Sequence, residues 1–164
     1  MDNDRSVAIE PLAPELWFER LGLLEASLSE KTKTIECALR HCYHLAQLAP
    51  GPVIQLVGCI PDESAFEELL EHERYRDAAE RIASSDFFDL TVNVPDGHAV
   101  VKVSCPIFSS EAEAVATEAS TTILLAWLRI MLEIQKGAQG QSGLLGGPAL
   151  HTPQSERHRR STPH

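Results

Sequence analysis

Cysteine and histidine side chains recur at helical spacing in one short segment of the chain. Cys37, His41 and His44 are four and three residues apart, so one flank of a helix would present all three. Thiolate and imidazole are zinc ligands, and this set could supply three of the four ligands of a tetrahedral site. The fourth would have to come from elsewhere in the chain, with Cys59 and Cys105 as candidates. The spacing matches no established zinc motif, so we favour a packing cluster over a metal site.

A second candidate for chemistry lies in a charged segment further along the chain. Glu68 and His72 are one helical turn apart, and a carboxylate beside an imidazole can act as a general acid and base. The pair lies within a run of charged residues over 67–77, which is typical of a solvated helix face. We therefore predict no catalytic residues, and Glu68 and His72 stand only as an alternative.

The remaining polar residues match no catalytic or cofactor-binding pattern. His98 follows an Asp-Gly turn, and Ser104 or Cys105 could serve as its nucleophile. Cys105 is expected to face the core, where a thiol is inert. There is no glycine-rich phosphate loop and no dinucleotide-binding fingerprint, so no cofactor is predicted.

Charge and composition restrict the kinds of partner. The 164-residue chain has a net charge of −10 and is 43% hydrophobic, as expected of a single globular domain. Residues 137–164 carry three arginines against one glutamate, which leaves −12 for the rest of the chain. An acidic body repels phosphate and argues against nucleic-acid binding, whereas a basic protein partner would suit it. With neither a signal peptide nor a membrane span predicted, we expect a cytoplasmic protein with reduced cysteines.

Apolar spacing predicts two helices in the first third of the sequence. The first begins at Pro14, a residue that suits the first helical turn. Its apolar stripe consists of Trp17, Leu21, Leu24 and Leu28. The second helix is expected to begin near Ser27, because Ser27 and Glu30 have the spacing of a capping box, and to end before Pro50.

The middle of the chain predicts a strand followed by a broken helix. Residues 53–59 are apolar on both faces and indicate a central strand that ends before Pro61. Ser64 and Glu67 have capping-box spacing and open a helix to about Ala83. The apolar stripe changes direction over residues 72–74, where we expect a kink or break.

Residues 87–105 alternate between apolar and polar side chains in two runs, separated by a Pro-Asp-Gly-His turn. This pattern predicts a β-hairpin with one buried face. Two registers compete, because the turn sequence also favours a three-residue loop with a glycine bulge. We expect the register that pairs Val94 with Ala99. It sets Val92 opposite Val101, and burial of one face fixes register strongly.

The last regular element predicted is a long helix over residues 110–136, capped by Ser110 and Glu113. Apolar residues lie around most of its circumference, more than one small sheet could cover. Such a helix is either central in its own fold or packs on a second copy. The residues expected at this interface are Leu124, Trp127, Leu128, Met131 and Leu132.

These patterns together predict one α+β domain. It comprises a small mixed or antiparallel sheet of about three strands, including the hairpin, packed with about four helices and ending in a long helix. We expect a loose arm over residues 1–12, the domain over 13–136 and a disordered tail rich in glycine, proline and serine over 137–164.

The function expected of such a chain is non-enzymatic. A protein-binding or assembly module, regulatory or chaperone-like and homodimeric through the 110–136 helix, fits the surplus apolar surface and the acidic charge. Two alternatives stay open: a small enzyme or metal-binding protein that uses the Cys/His/Glu residues, and a sensor with an apolar ligand between sheet and helices.

Overall fold

The computed structural model describes residues 9–144, and the side chains of residues 9–140. The described residues form a three-stranded sheet and five helices. The helices are α1 (Pro14–Ser29), α2 (Ile35–Gln47), α3 (Glu63–Glu71), α4 (Tyr75–Ala83) and α5 (Ala119–Leu144). The strands are β1 (Asp89–Asn93), β2 (Ala99–Cys105) and β3 (Ser110–Ala116). This architecture confirms the predicted α+β class with its long C-terminal helix. None of the helices within 9–144 could cross a lipid bilayer.

A sharp turn separates the first two helices. Lys31 adopts a left-handed φ of 55° just after α1 and redirects the chain. Thr34 then caps α2 by accepting a hydrogen bond from the backbone N–H three residues later, at 3.3 Å. The predicted capping box at Ser27 is wrong, because the Ser27 hydroxyl donates to the Leu23 carbonyl inside α1.

The helix expected from Ser64 consists of two short helices. Asp62 caps α3 by accepting the Ala65 N–H at 2.9 Å, so the true cap lies two residues before the predicted one. Glu73 adopts a left-handed φ of 55° between α3 and α4. The break predicted over residues 72–74 is confirmed.

Residues 51–56 form turns and residues 57–59 belong to no regular element, so the strand predicted over 53–59 is wrong. Val53, Leu56 and Val57 are buried, whereas Ile54 is exposed. Burial at intervals of three and four residues is helical spacing and not the alternation of a strand. The N–H groups of Leu56 and Val57 both donate to the Val53 carbonyl, which closes a single helical turn.

Gly58 ends this turn against the C-terminal end of α4. A Cβ atom placed on Gly58 would be 1.5 Å from the Ser84 carbonyl oxygen. Only glycine allows the two backbone segments to approach so closely. The turn is therefore docked on α4 by a backbone contact that no other residue type could make.

The β1–β2 hairpin has the register predicted from its apolar residues. Val92 lies opposite Val101, and the flanking pairs continue in step. Asp96 and Gly97 have φ values of 49° and 79°, as a type I′ turn requires at both central positions. The two-residue Asp-Gly turn is therefore compatible with the register that buries the apolar face, and no glycine bulge forms.

Residues 110–116 form strand β3, and the helix predicted to begin at Ser110 is wrong over this segment. Ala112 and Ala114 face inward, with Ala114 buried, and the intervening glutamates face solvent. The strand pairs antiparallel with β2, and Glu113 forms an ion pair at 3.3 Å with Lys102 directly opposite. Pairing with a neighbour has overridden the helical preference of alanine and glutamate.

Helix α5 begins at Ala119 and continues to Leu144, past the predicted end at Lys136. The predicted end of the helix is therefore wrong by eight residues, because the glycines at 137, 140 and 143 are accommodated within the helix. Residues 1–8 and 145–164, which include most of the predicted arm and tail, lie outside the described residues.

Helix α5 is the centre of the fold. It packs against β2 and β3 and also against α1 and α4. Residues 123–128 are buried without interruption, which requires neighbours around the whole circumference. The described protomer therefore has three layers, with the sheet on one side of α5 and the shorter helices on the other.

Candidate functional site

An open groove of about 480 Å³ lies between the outward faces of α1 and α2. The residues that line it are Leu12, Leu16, Arg20, Leu23, Leu24, Ser27, Lys33, His41, His44, Leu45 and Leu48. Leu16 is 37% exposed and Leu23 is 57% exposed, although both lie on a well-packed helix. Clustered exposed leucines of this kind mark docking surfaces more often than isolated ones do.

Two hydrogen bonds fix the walls of the groove relative to each other. The Trp17 indole N–H on α1 donates to the Leu45 carbonyl on α2 at 2.6 Å. The Leu12 N–H donates to the Leu48 carbonyl at 2.9 Å and closes one end. Trp17 and Leu21 are one turn apart and point into the core, whereas Leu16, one residue before Trp17, and Leu23, two residues after Leu21, lie off that face and are exposed. The groove is therefore preformed in the free chain.

The rim of the groove is basic, although the protein is acidic. Arg20, Lys33, His41 and His44 line it, and no aspartate or glutamate does. Among the described residues, neither Arg20 nor Lys33 forms an ion pair. The Lys33 Nζ donates to His41 Nδ1 at 2.9 Å. Cationic groups without carboxylate partners beside exposed leucines favour an anionic, partly apolar ligand.

The pH titration of His41 gives a first test of this rim. Partial desolvation by neighbouring groups lowers the pKa of His41, although its ring is largely exposed, and the nearby charges of Lys33 and His44 lower it further. Because the pKa of His41 is lower in the folded state, folding favours its neutral imidazole. The contribution of His41 to the free energy of unfolding is therefore present above about pH 6.5 and is lost as the pH falls through the pKa of the folded state. Histidine NMR titration should place His41 below its ordinary value.

Replacement of Lys33 by methionine provides the control for that titration. Removal of the cation should raise the pKa of His41, because the charge of Lys33 is one of the causes that lower it. A wild-type His41 that titrates at or above its ordinary value would contradict the described geometry.

The candidate metal ligands, which the sequence offered only as an alternative to a packing cluster, are not brought together. Within the part of the chain whose side chains are described, no three histidine, cysteine or acidic side chains converge. Cys37, His41 and His44 are exposed on α2, and His41 is engaged by Lys33. Of the proposed fourth ligands, Cys59 is exposed and Cys105 is buried, and burial raises the pKa of the Cys105 thiol.

Glu68 and His72 do not form an acid–base pair. The Nδ1–H of His72 donates to the Glu68 backbone carbonyl at 2.8 Å, which caps the end of α3. The neighbouring Glu67 instead accepts three hydrogen bonds from the Arg40 guanidinium, at 2.8, 3.0 and 3.2 Å. These bonds lower the pKa of Glu67. They tie α2 to α3, and the His72 ring contacts the backbone of Glu68 and not its carboxylate.

The residues expected at a helix-mediated dimer interface lie inside the protomer. Leu124, Trp127, Leu128 and Met131 are fully buried, and Leu132 is half-buried. The sheet and the short helices cover the apolar surface predicted to be in excess, because β3 and α4 both pack on α5. These four side chains are therefore not exposed to a partner in the described protomer.

The residues of the groove were not predicted, apart from His41 and His44. The available signal was weak: Leu16 and Leu23 are seven residues apart on α1 and lie off the stripe that enters the core. No family model, curated protein or solved structure matches the chain. The function has to be inferred from the groove itself.

Proposed function

We propose that the chain is a non-enzymatic protein-binding module that docks an acidic amphipathic helix of a partner protein in the groove between α1 and α2. The observation that supports this is the combination of exposed leucines with unpaired cations in an otherwise acidic protein. Apolar grooves between helices commonly receive the apolar face of a partner helix.

The dimensions of the groove suit a short helix. Its α1 wall extends from Leu16 to Ser27, which is roughly 16 Å along the helix axis and about three turns of a bound helix. The groove is open along its length and is not an enclosed cavity, which favours a helix over a small ligand that would need to be surrounded.

The charges on the rim of the groove favour an acidic partner helix. Arg20 on α1 and Lys33 before α2 lie on the rim, so carboxylates flanking the leucines of the partner would find cations at both walls. The overall charge of −10 repels an acidic partner at a distance. At physiological salt this repulsion is screened beyond about 8 Å, whereas contacts within the groove are not.

The test is the binding of a fluorescent synthetic peptide with leucines at helical spacing and glutamates on their flanks, followed by anisotropy. Arg20→Glu and Lys33→Glu should each weaken binding by about tenfold, because each removes an attraction and adds a repulsion. Arg81→Glu makes the same change of charge at an exposed site on α4 outside the groove and should leave binding unchanged.

Two further peptides separate the apolar and charged contributions. A peptide with lysine in place of glutamate should bind at least tenfold more weakly, and one with its leucines replaced by serine should not bind. Equal affinities for the acidic and basic peptides, or equal effects of Arg20→Glu and Arg81→Glu, would rule out this use of the groove.

A further inference from the structure

Strand β1 leaves its outer edge unpaired. It pairs only with β2, and no described residue outside that ladder makes a hydrogen bond with the backbone of residues 89–93. A free edge is a template for another strand, and proteins usually block such edges.

The hairpin turn determines which backbone groups face outward. The His98 N–H donates to the Pro95 carbonyl at 3.0 Å, so this pair is hydrogen-bonded, and pairs further along alternate. Thr91 and Lys102 are therefore a hydrogen-bonded pair, and the N–H and C=O groups of Thr91 point toward β2. By the same alternation, the backbone groups of Leu90 and Val92 point away from the sheet.

At the opposite edge of the sheet, one outward backbone group is already occupied. On β3 the outward carbonyl of Glu113 accepts a hydrogen bond from Arg129 Nη1 at 3.1 Å. The guanidinium is held in place by Glu25, at 2.9 Å from its Nε, and by Ser29 on α1. The outward direction of the Glu113 carbonyl agrees with the alternation deduced from the turn. A side chain therefore occupies the middle of the β3 edge, whereas no described side chain does so at the β1 edge.

We propose that the open edge is the site of homodimerisation, with a second copy of the chain adding its β1 strand antiparallel about a two-fold axis at Thr91. Leu90 then pairs with Val92 of the partner subunit, and Val92 pairs with Leu90 of the partner subunit. Each of these pairs exchanges both hydrogen bonds of its outward groups. The dimer contains one continuous sheet across both protomers.

The side chains of β1 are complementary in this arrangement. Leu90 and Val92 are half-buried on the inner face, and pairing covers them with the same residues of the partner. Asp89 lies opposite Asn93 of the partner subunit, so no like charges meet. A shift of two residues would set Asp89 against Thr91 of the partner subunit and would lose one of the apolar pairs.

Disulfide crosslinking between engineered cysteines tests the register of the two β1 strands directly. In a chain with the exposed Cys37 and Cys59 replaced by serine, Thr91→Cys would meet its own copy at a Cα separation of about 4.5 Å, within disulfide range. Mild oxidation should therefore give a covalent dimer. Asp89→Cys alone should not crosslink, because its own copy lies roughly 13 Å away along the strand, whereas Asp89→Cys with Asn93→Cys should crosslink.

A proline variant tests the backbone bonds. The N–H of Val92 points outward, so Val92→Pro removes no bond of the β1–β2 ladder but blocks pairing with a partner. Sedimentation velocity should show a dimer for the wild type and a monomer for Val92→Pro, with an unchanged circular dichroism spectrum. Arg20→Glu should remain dimeric, since the dimer does not depend on the groove.

Two results would overturn the dimer. One is a monomeric wild type in which Thr91→Cys does not crosslink, and the other is crosslinking of the single Asp89→Cys variant as efficiently as Thr91→Cys. If Val92→Pro fails to fold, the cysteine variants alone test the dimer. Their side chains lie on the exposed outer face of the sheet, so these substitutions do not disturb the core.

Discussion

Gly58→Ala should destabilise the protein by about 3 kcal/mol, because the added methyl group would overlap the backbone of another segment. The Cβ position is 1.5 Å from the Ser84 carbonyl oxygen and 2.6 Å from its carbon. A rotamer change cannot relieve contact with a backbone carbonyl. Either the turn over residues 53–57 must separate from α4 or the end of α4 must shift, and both expose buried valine and leucine.

Urea unfolding of the variant, followed by circular dichroism, measures this effect. Gly51→Ala is the matched control, because its Cβ would meet nothing within 4 Å and its φ is not left-handed. That substitution should be neutral, or should stabilise by up to about 1 kcal/mol through the unfolded chain. Similar midpoints for the two variants would show that the turn does not contact Ser84 as described.

Leu128→Ala should cost about 2–5 kcal/mol without changing the association of the chain. Leu128 is fully buried on α5, between the sheet and the short helices, so truncation leaves a cavity that its neighbours fill only in part. If α5 were an interface between copies, the same change would alter the oligomeric state first. Denaturant unfolding and sedimentation velocity on the same sample separate the two effects.

Leu132→Ala provides the comparison one turn further along the same helix. Leu132 is only half-buried, so its truncation should cost clearly less than that of Leu128. A loss of association in Leu128→Ala at unchanged stability would restore α5 as a docking surface and would contradict the buried position described above.

The elements predicted correctly are those whose local pattern agrees with their environment. The hairpin alternates strictly, and its Asp-Gly turn accommodates the register that buries Val92 and Val101 on the same face. The two elements that were predicted wrongly have local sequence patterns that favour one structure, whereas their tertiary contacts stabilise another. Residues 110–116 have helix-forming composition but gain a partner in β2, and the apolar run at 53–57 is buried at helical spacing.

The candidate groove could not be predicted for a different reason. Leu16 and Leu23 are unremarkable in sequence, and they become a site only because α2 lies beside α1 and leaves them uncovered. The same applies to Arg20 and Lys33, whose lack of carboxylate partners among the described residues is a property of packing. Sequence spacing identified His41 and His44 but predicted a packing cluster, with metal binding as the alternative, because it showed the residue types and not their neighbours.

The hydrogen bond from Arg129 to the Glu113 carbonyl bears on how far the dimer proposed above could extend. A subunit with adhesive strands at both ends would join others indefinitely and produce fibres. In that dimer the guanidinium engages a backbone carbonyl at the remaining edge of each subunit, which makes this edge a poorer template for a further strand. Loss of this one arginine should therefore increase the tendency of the sheet to grow beyond two subunits.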